Sequence, residues 1–379
     1  MSEETKKAPA IRFQGFTDDW EQRELKEILK VNSGRDYKHL GSGSIPVYGT
    51  GGYMLSVNDK LSDKDAIGIG RKGTIDKPQY LKAPFWTVDT LFFMIPLNNF
   101  DLQFLYTMTQ KINWKKMDES TGVPSLSKAV IEKVNQNIPS YQEQIKIGGF
   151  FKQLDNTIAL HQQKQRQIRS LKQGFIKNLF PNNKNSAPRI RFSIFNDDWN
   201  QRNASEIFTS VSDKNYPELP VLSASQEKGM VLRESNGIDI KYDQKSTGTY
   251  KRVLPGQFVM HLRSFQGGFA YSTIEGITSP AYTILAFRNK EDHYPLFWKS
   301  IFSSKNFIKR LEAITYGIRD GRSISYADFS TLRFWIPSYE EQKQIGDFIE
   351  SIDATIAFYQ RQIDMMQSLK KELLNKMFI

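Results

Sequence analysis

Two stretches of the chain place mostly apolar residues at alternating steps of four and three. The first is Leu154, Ile158, His161, Gln165, Ile168, Lys172, Phe175 and Leu179, and the second is Ile352, Ile356, Tyr359, Ile363, Met366, Lys370, Leu373 and Met377. A leucine, Leu171 or Leu369, stands beside the lysine in each. This is the coiled-coil period, and it predicts two long helices, 141–180 and 339–379. At 1.5 Å per residue the first is about 60 Å long. Such a helix cannot bury its stripe alone. The economical partner is the other stripe, equal in length and register, so an antiparallel coiled coil is expected, relating its two flanking modules by a pseudo-two-fold axis.

Outside these stripes the periodicity changes. Short runs such as Ala66–Ile69, Trp86–Val88, Leu91–Ile95, Gln257–Leu262, Tyr282–Phe287 and Arg333–Ile336 alternate with Gly, Pro, Asn and Asp and read as strands. Leu102–Trp114 and Leu296–Ile314 read as helices. The fold class is therefore α+β: two α+β domains separated by two long helices, in a tandem repeat. The expected boundaries are 1–140 for the first domain and 141–180 for its helix. A linker over 181–187, opened by Pro181, leads to a second domain over 188–338 and a helix over 339–379.

The repeat is explicit in the residues. Pro9-Ala-Ile-Arg-Phe-Gln-Gly-Phe-Thr-Asp-Asp-Trp20-Glu-Gln-Arg23 returns as Pro188-Arg-Ile-Arg-Phe-Ser-Ile-Phe-Asn-Asp-Asp-Trp199-Asn-Gln-Arg202. Ile138–Phe180 aligns without gaps to Ile336–Phe378, with about two in five positions identical. Between these matching ends lie segments that differ strongly and are 19 residues longer in the second copy. Drift blurs all parts of a module alike. A similar frame around dissimilar middles, 24–125 and 203–323, suits a common mount carrying two different readers.

Composition narrows what is read. With 52 Lys+Arg against 41 Asp+Glu the net charge is +11, which favours a polyanionic partner. The absence of cysteine excludes disulfides, thiolate metal sites and cysteine nucleophiles, and a cytoplasmic protein is expected. The start, MSEETKKAPA, lacks the apolar core of a signal peptide, and no run of 18 apolar residues occurs, so no membrane partner is expected.

Two readers on a spacer suit duplex DNA, whose base edges return to one side about every 34 Å. Because the readers differ, the target is expected to be split and asymmetric. Basic or amide side chains on glycine-containing turns are the natural base contacts. In the first copy these are Arg71, Lys72 and Thr74 of Gly68–Thr74, with Tyr53 of Tyr48–Tyr53 and Thr121 of Glu119–Gly122. In the second they are His261, Arg263, Ser264 and Gln266, matched so that Arg263 corresponds to Arg71, together with Ser225, Gln226, Lys228, Arg319 and Arg322.

No active site is apparent. There is no Gly-x-x-x-x-Gly-Lys-[Ser/Thr], no dinucleotide fingerprint and no Gly-x-Ser-x-Gly elbow. His39, His161, His261 and His293 are scattered without metal-ligand spacing. Asp18-Asp19-Trp20 and Asp197-Asp198-Trp199 read better as a turn or helix start with an anchoring ring than as catalytic acids. Two alternatives stay open: a stand-alone DNA methyltransferase or nuclease with an unrecognised site, and a protein-binding scaffold.

Over essentially its whole length the chain resembles the specificity subunits of Type I restriction-modification enzymes. The marks are Arg12-Phe13 and Arg191-Phe192 leading to Asp-Asp-Trp, Pro124-Ser125-Leu126-Ser127, and Ile-Pro-Ser-Tyr-x-Glu-Gln-x-x-Ile-Gly opening each long helix. The second copy has Arg322-Ser-Ile324-Ser325 where the first has Pro124-Ser-Leu-Ser127. The resemblance implies a non-catalytic subunit with two target-recognition domains, bound by two methyltransferase subunits and by motor-nuclease subunits. S-adenosylmethionine, ATP and Mg would belong to those partners. Two like partners need two like docking surfaces, and Trp20, Tyr141, Gln144, Trp199, Tyr339 and Gln342 are the positions expected to supply them.

Overall fold

In this computed structural model residues 8–118, 120–181, 186–225, 228–236, 244–261, 264–314 and 324–379 are described. The predicted long helices run from Tyr141 to Leu179 and from Tyr339 to Met377. Every position of the two stripes is buried or half-buried, whereas Leu171 and Leu369 are exposed. The chain forms two compact units, one of Met1–Gln163 with Gln360–Ile379 and one of Lys164–Tyr359. Each unit thus takes in part of both long helices, a division that differs from boundaries drawn at the helix ends.

In the first unit the elements are β1 (Glu21–Glu24), α1 (Leu25–Ile28), β2 (Leu29–Ser33), β3 (Ser42–Gly49), β4 (Gly52–Val57), β5 (Ala66–Gly70), β6 (Gln79–Leu81), β7 (Trp86–Thr87), β8 (Leu91–Pro96), α2 (Leu102–Lys111), α3 (Lys128–Glu132), β9 (Asn135–Ile138) and the first part of α4 (Tyr141–Leu179). One antiparallel sheet has the order β2-β8-β5-β6, and a second has the order β4-β3-β7 with β3 parallel to β7. The central strand β5 is buried along its whole length, which is why it reads as an unbroken small-apolar run. Asp101 caps α2 by accepting the Phe104 N–H, and Ser127 caps α3 through Val130.

In the second unit the elements are β10 (Asn200–Asn203), α5 (Ala204–Ile207), β11 (Phe208–Val211), β12 (Leu222–Ser225), β13 (Gly229–Leu232), β14 (Lys251–Val253), β15 (Phe258–Met260), α6 (Ser264–Gly267), β16 (Ala270–Tyr271), β17 (Gly276–Thr278), β18 (Thr283–Phe287), α7 (Pro295–Phe302), α8 (Lys305–Ala313), α9 (Tyr326–Ser330), β19 (Arg333–Ile336) and the first part of α10 (Tyr339–Met377). Its main sheet has the order β11-β18-β15-β16, the same connectivity as β2-β8-β5-β6. The single helix expected over Leu296–Ile314 is two, because Ser304 leaves the helical conformation and its hydroxyl caps α8 by accepting the Phe307 N–H.

Within each unit the long-helix segments run antiparallel. In the first, Phe151 meets Phe378 and Asp155 meets Lys370; in the second, Gln165 meets Ile356, Lys172 meets Asp353 and Phe175 meets Phe348. The seam lysines thereby find their purpose. Lys370 Nζ lies 2.6 Å from Asp155 and Lys172 Nζ lies 2.6 Å from Asp353, and each pair is the repeat equivalent of the other. A polar pair at a seam costs some burial energy but fixes register, since a slipped helix would strand both charges.

The shared Ile-Pro-Ser-Tyr-x-Glu-Gln-x-x-Ile-Gly motif is a packing device. Glu143 is fully buried and receives two hydrogen bonds from Arg12, at 2.7 and 2.8 Å; Glu341 receives the same fork from Arg191. Gln144 accepts from the Asp101 N–H and donates to the Pro139 carbonyl, and Gln342 accepts from Tyr294 and donates to Pro337. Trp20 and Trp199 are buried against Phe104 and Phe297. The expectation that Trp20, Trp199, Gln144 and Gln342 form docking surfaces is therefore corrected: they repeat because the interior repeats. Tyr141 and Tyr339, at the helix starts, are 44% and 37% exposed and remain on the surface.

The motif's glycine is fixed by close approach. A Cβ on Gly148 would lie 2.6 Å from the Phe104 nitrogen and 2.5 Å from the capping carboxylate of Asp101, and one on Gly346 would lie 2.7 Å from the Phe297 nitrogen. Gly148→Ala is expected to cost about 1–3 kcal/mol, because backbone must move to admit the methyl. Urea denaturation measures it, and an unchanged midpoint would contradict this packing.

Candidate nucleic-acid interface

Three loops of the first unit, far apart in sequence, converge at one end of its main sheet. The first leaves β5 at Arg71. Its backbone is held on two sides, with the Arg71 N–H donating to the Thr90 carbonyl at 2.8 Å and the Arg71 carbonyl accepting from Leu126 at 2.9 Å. Gly73 takes φ +97, which turns the chain back, and its N–H donates to the Pro124 carbonyl at 2.8 Å. Lys72 bridges Ser125 in antiparallel fashion. The loop from Ser120 to Leu126 is thus laid along the Arg71–Gly73 segment.

The third loop is the tip of the β3–β4 hairpin. Gln79, on β6, donates its side-chain amide to the Gly49 and Thr50 carbonyls at 2.9 and 3.1 Å, pinning the tip to the edge of the main sheet. Beyond the tip stands Tyr53, 63% exposed, its hydroxyl 3.2 Å from Ser56 Oγ. Five expected residues therefore share this surface: Arg71, Lys72, Tyr53 and Thr121 are exposed and Thr74 is half-buried. The Arg71 guanidinium sits 5.9 Å from the Phe92 ring centroid. Arg71 and Lys72 offer a planar fork and a point charge, the two cationic chemistries that recognise base edges and phosphates.

Sequence reasoning missed several members of this surface. Gln79 and Asp118 carry no motif, since their roles consist of bonds to backbone groups distant in sequence. Met54 and Val123, 49% and 55% exposed, were passed over because apolar residues read as core.

In the second unit the segment from β15 to β16 holds the place in its sheet that Arg71–Thr74 holds between β5 and β6. His261 is half-buried and its N–H donates to Ser264 Oγ at 2.8 Å. Ser264 itself is 1% exposed; its expected DNA contact is corrected, because the hydroxyl is spent closing the turn that starts α6. Gln266 is exposed. On the β12–β13 turn Lys228 is exposed, and Ser225 Oγ accepts the Lys228 N–H at 3.3 Å. Gln226, Arg263, Arg319 and Arg322 lie outside the described residues.

No group of three or more His, Asp or Glu is placed to hold a metal among the described residues. His293 is wedged between Phe287 and Trp298, and burial pushes its imidazole down to about 4, so it is neutral at physiological pH. No helix among the described residues is long and apolar enough to cross a membrane.

A family model described as the Type I restriction modification DNA specificity domain matches residues 17–170. The Type I restriction enzyme MjaVIII specificity subunit of Methanocaldococcus jannaschii is 22% identical over 298 residues, which cover 73% of this chain and 68% of that protein. Among solved structures, the S subunit of a Type I restriction-modification system from M. genitalium aligns with a TM-score of 0.66 at 14% identity, covering 98% of this chain and 99% of the other. A chain from a structure concerned with complex assembly and conformational transition of the type I R-M system aligns with a TM-score of 0.52 at 14% identity, covering 94% and 97%. At such identities these likenesses show a shared fold.

Proposed function

We propose that the chain acts as a specificity subunit of a Type I restriction-modification system, the family whose domain model matches residues 17–170, and that its two units each read one half of a split, asymmetric site on double-stranded DNA. The observation that carries this reading is the convergence of the β3–β4 tip, the Arg71–Thr74 segment and the Ser120–Leu126 loop into one exposed cationic surface. Such a turn can enter a major groove and aim a bidentate fork at a base edge. The matching position in the other sheet carries a different sequence, so the two half-sites differ. A net charge of +11 supplies sequence-independent attraction to the phosphates.

The chain acts here as a reader, with the chemistry placed in other subunits. Two methyltransferase subunits dock on the repeated frame, for which the exposed Tyr141 and Tyr339 stand at matching places, and motor-nuclease subunits complete the restricting assembly. S-adenosylmethionine, ATP and Mg are held by those partners. A footprint of the full chain on a duplex recovered from a randomised pool tests the reading, with two separate protected tracts expected.

A further inference from the structure

The loop along the reading segment is itself organised by one carboxylate oxygen. Asp118 Oδ1 accepts the Ser120 N–H at 3.0 Å, the Ser120 hydroxyl at 2.7 Å and the Ser125 N–H at 2.9 Å. A single atom thereby gathers groups five residues apart. Ser125, so held, is the residue that bridges Lys72, and its neighbours Pro124 and Leu126 make the hydrogen bonds to Gly73 and Arg71. The Ser125 N–H first, then the Ser120 hydroxyl and N–H, hold the Asp118 carboxyl below the usual carboxylate range, so the acceptor is charged and its bonds are the stronger for it.

The base of this clamp is firm. Asp118 follows the short turn Trp114–Met117, in which Trp114 is buried and donates its indole N–H to the Thr109 carbonyl at 2.9 Å. Lys115 in the same turn pairs with Asp76 at 2.7 Å. Thr121 and Val123, both exposed, ride on the crest of the loop that Asp118 closes.

We propose that Asp118 is a positioning residue for base reading by the first unit: it does not touch DNA, but through Ser125 it fixes the path of Arg71 and Lys72 and the crest that carries Thr121 and Val123. This rests on the reading of Arg71 and Lys72 as DNA contacts. Without the carboxylate the loop loses three bonds at once and the Arg71–Gly73 backbone loses a rigid neighbour. The fork of an arginine discriminates bases only while it is held in place.

The test uses the full chain in three variants, Asp118→Ala, Asp118→Asn and Arg71→Ala, each put through selection on randomised duplexes. Asp118→Ala is expected to reduce base preference in one half-site by at least about tenfold and to leave the other half-site read as before, which also shows that the variant is folded. Asp118→Asn keeps an oxygen acceptor for the two N–H groups and is expected to restore most of the preference. Amide exchange at Ser125 is expected to quicken in Asp118→Ala and much less in Asp118→Asn. Undiminished preference in Asp118→Ala, alongside a loss in Arg71→Ala, overturns the clamp while sparing the reading. Equal weakening of both half-sites by Asp118→Ala also overturns it, as a merely structural role. Unchanged preference in all three overturns the DNA reading of this loop and the clamp with it.

Discussion

Replacing Arg12 by alanine is expected to destabilise the chain by about 3–5 kcal/mol. The guanidinium donates from Nε and NH2 to both oxygens of Glu143, whose side chain has no exposed surface, while that of Arg12 is 13% exposed. Truncation leaves a carboxylate desolvated and unpaired, which costs far more than the ion pair is worth against solvent. Arg191→Ala is expected to behave alike, because Arg191 forks onto Glu341 at 2.8 and 2.7 Å with Glu341 1% exposed. Replacing both partners, Arg12→Met with Glu143→Leu, is expected to recover most of the loss, since no charge is then stranded. Urea denaturation of the single and double variants measures this, and a loss below about 1 kcal/mol in Arg12→Ala would mean that water reaches Glu143.

Arg71→Ala is expected to relax base reading in one half-site only. A bidentate arginine contact is worth about 1–3 kcal/mol of discrimination, or roughly 5- to 150-fold between the right and the wrong base. Arg71 is exposed and its backbone is hydrogen-bonded on both sides, so truncation removes the fork without unfolding the loop. Arg263→Ala is expected to affect the other half-site. Binding to variant duplexes separates the outcomes: loss confined to one base position marks base contact, and equal loss on all sequences marks a phosphate contact.

What the sequence made legible was the frame. The stripes located helices that end within two residues of their expected limits, because a seam of period 3.5 has no other way to be buried. The short apolar runs at Ala66, Leu91 and Arg333 became strands for the same reason, since alternation or continuous burial leaves a trace in residue type. Lys172 and Lys370 stand in the stripes by spacing, whereas nothing in the spacing names Asp353 and Asp155 as their partners.

The rest was hidden because its cause is tertiary. Gln144 reads as a surface residue in any local window, and it is interior only because Asp101, 43 residues earlier, brings an N–H to it. Ser264 looked like a contact residue on an exposed turn, yet its hydroxyl serves its own backbone. The three loops proposed to read DNA were each weak candidates, for glycine turns with basic residues occur on every surface. What joins them is the bonding of Arg71 to Leu126 and of Gln79 to Gly49, which no spacing in the chain announces.

The central claim is that one chain reads two unlike half-sites on a duplex. A hydroxyl-radical footprint of the full chain on its selected duplex tests this most directly. Two protected tracts of different sequence, separated by an unprotected spacer whose bases can be changed freely, is the predicted result. A single continuous tract, or protection that does not depend on sequence, would contradict it.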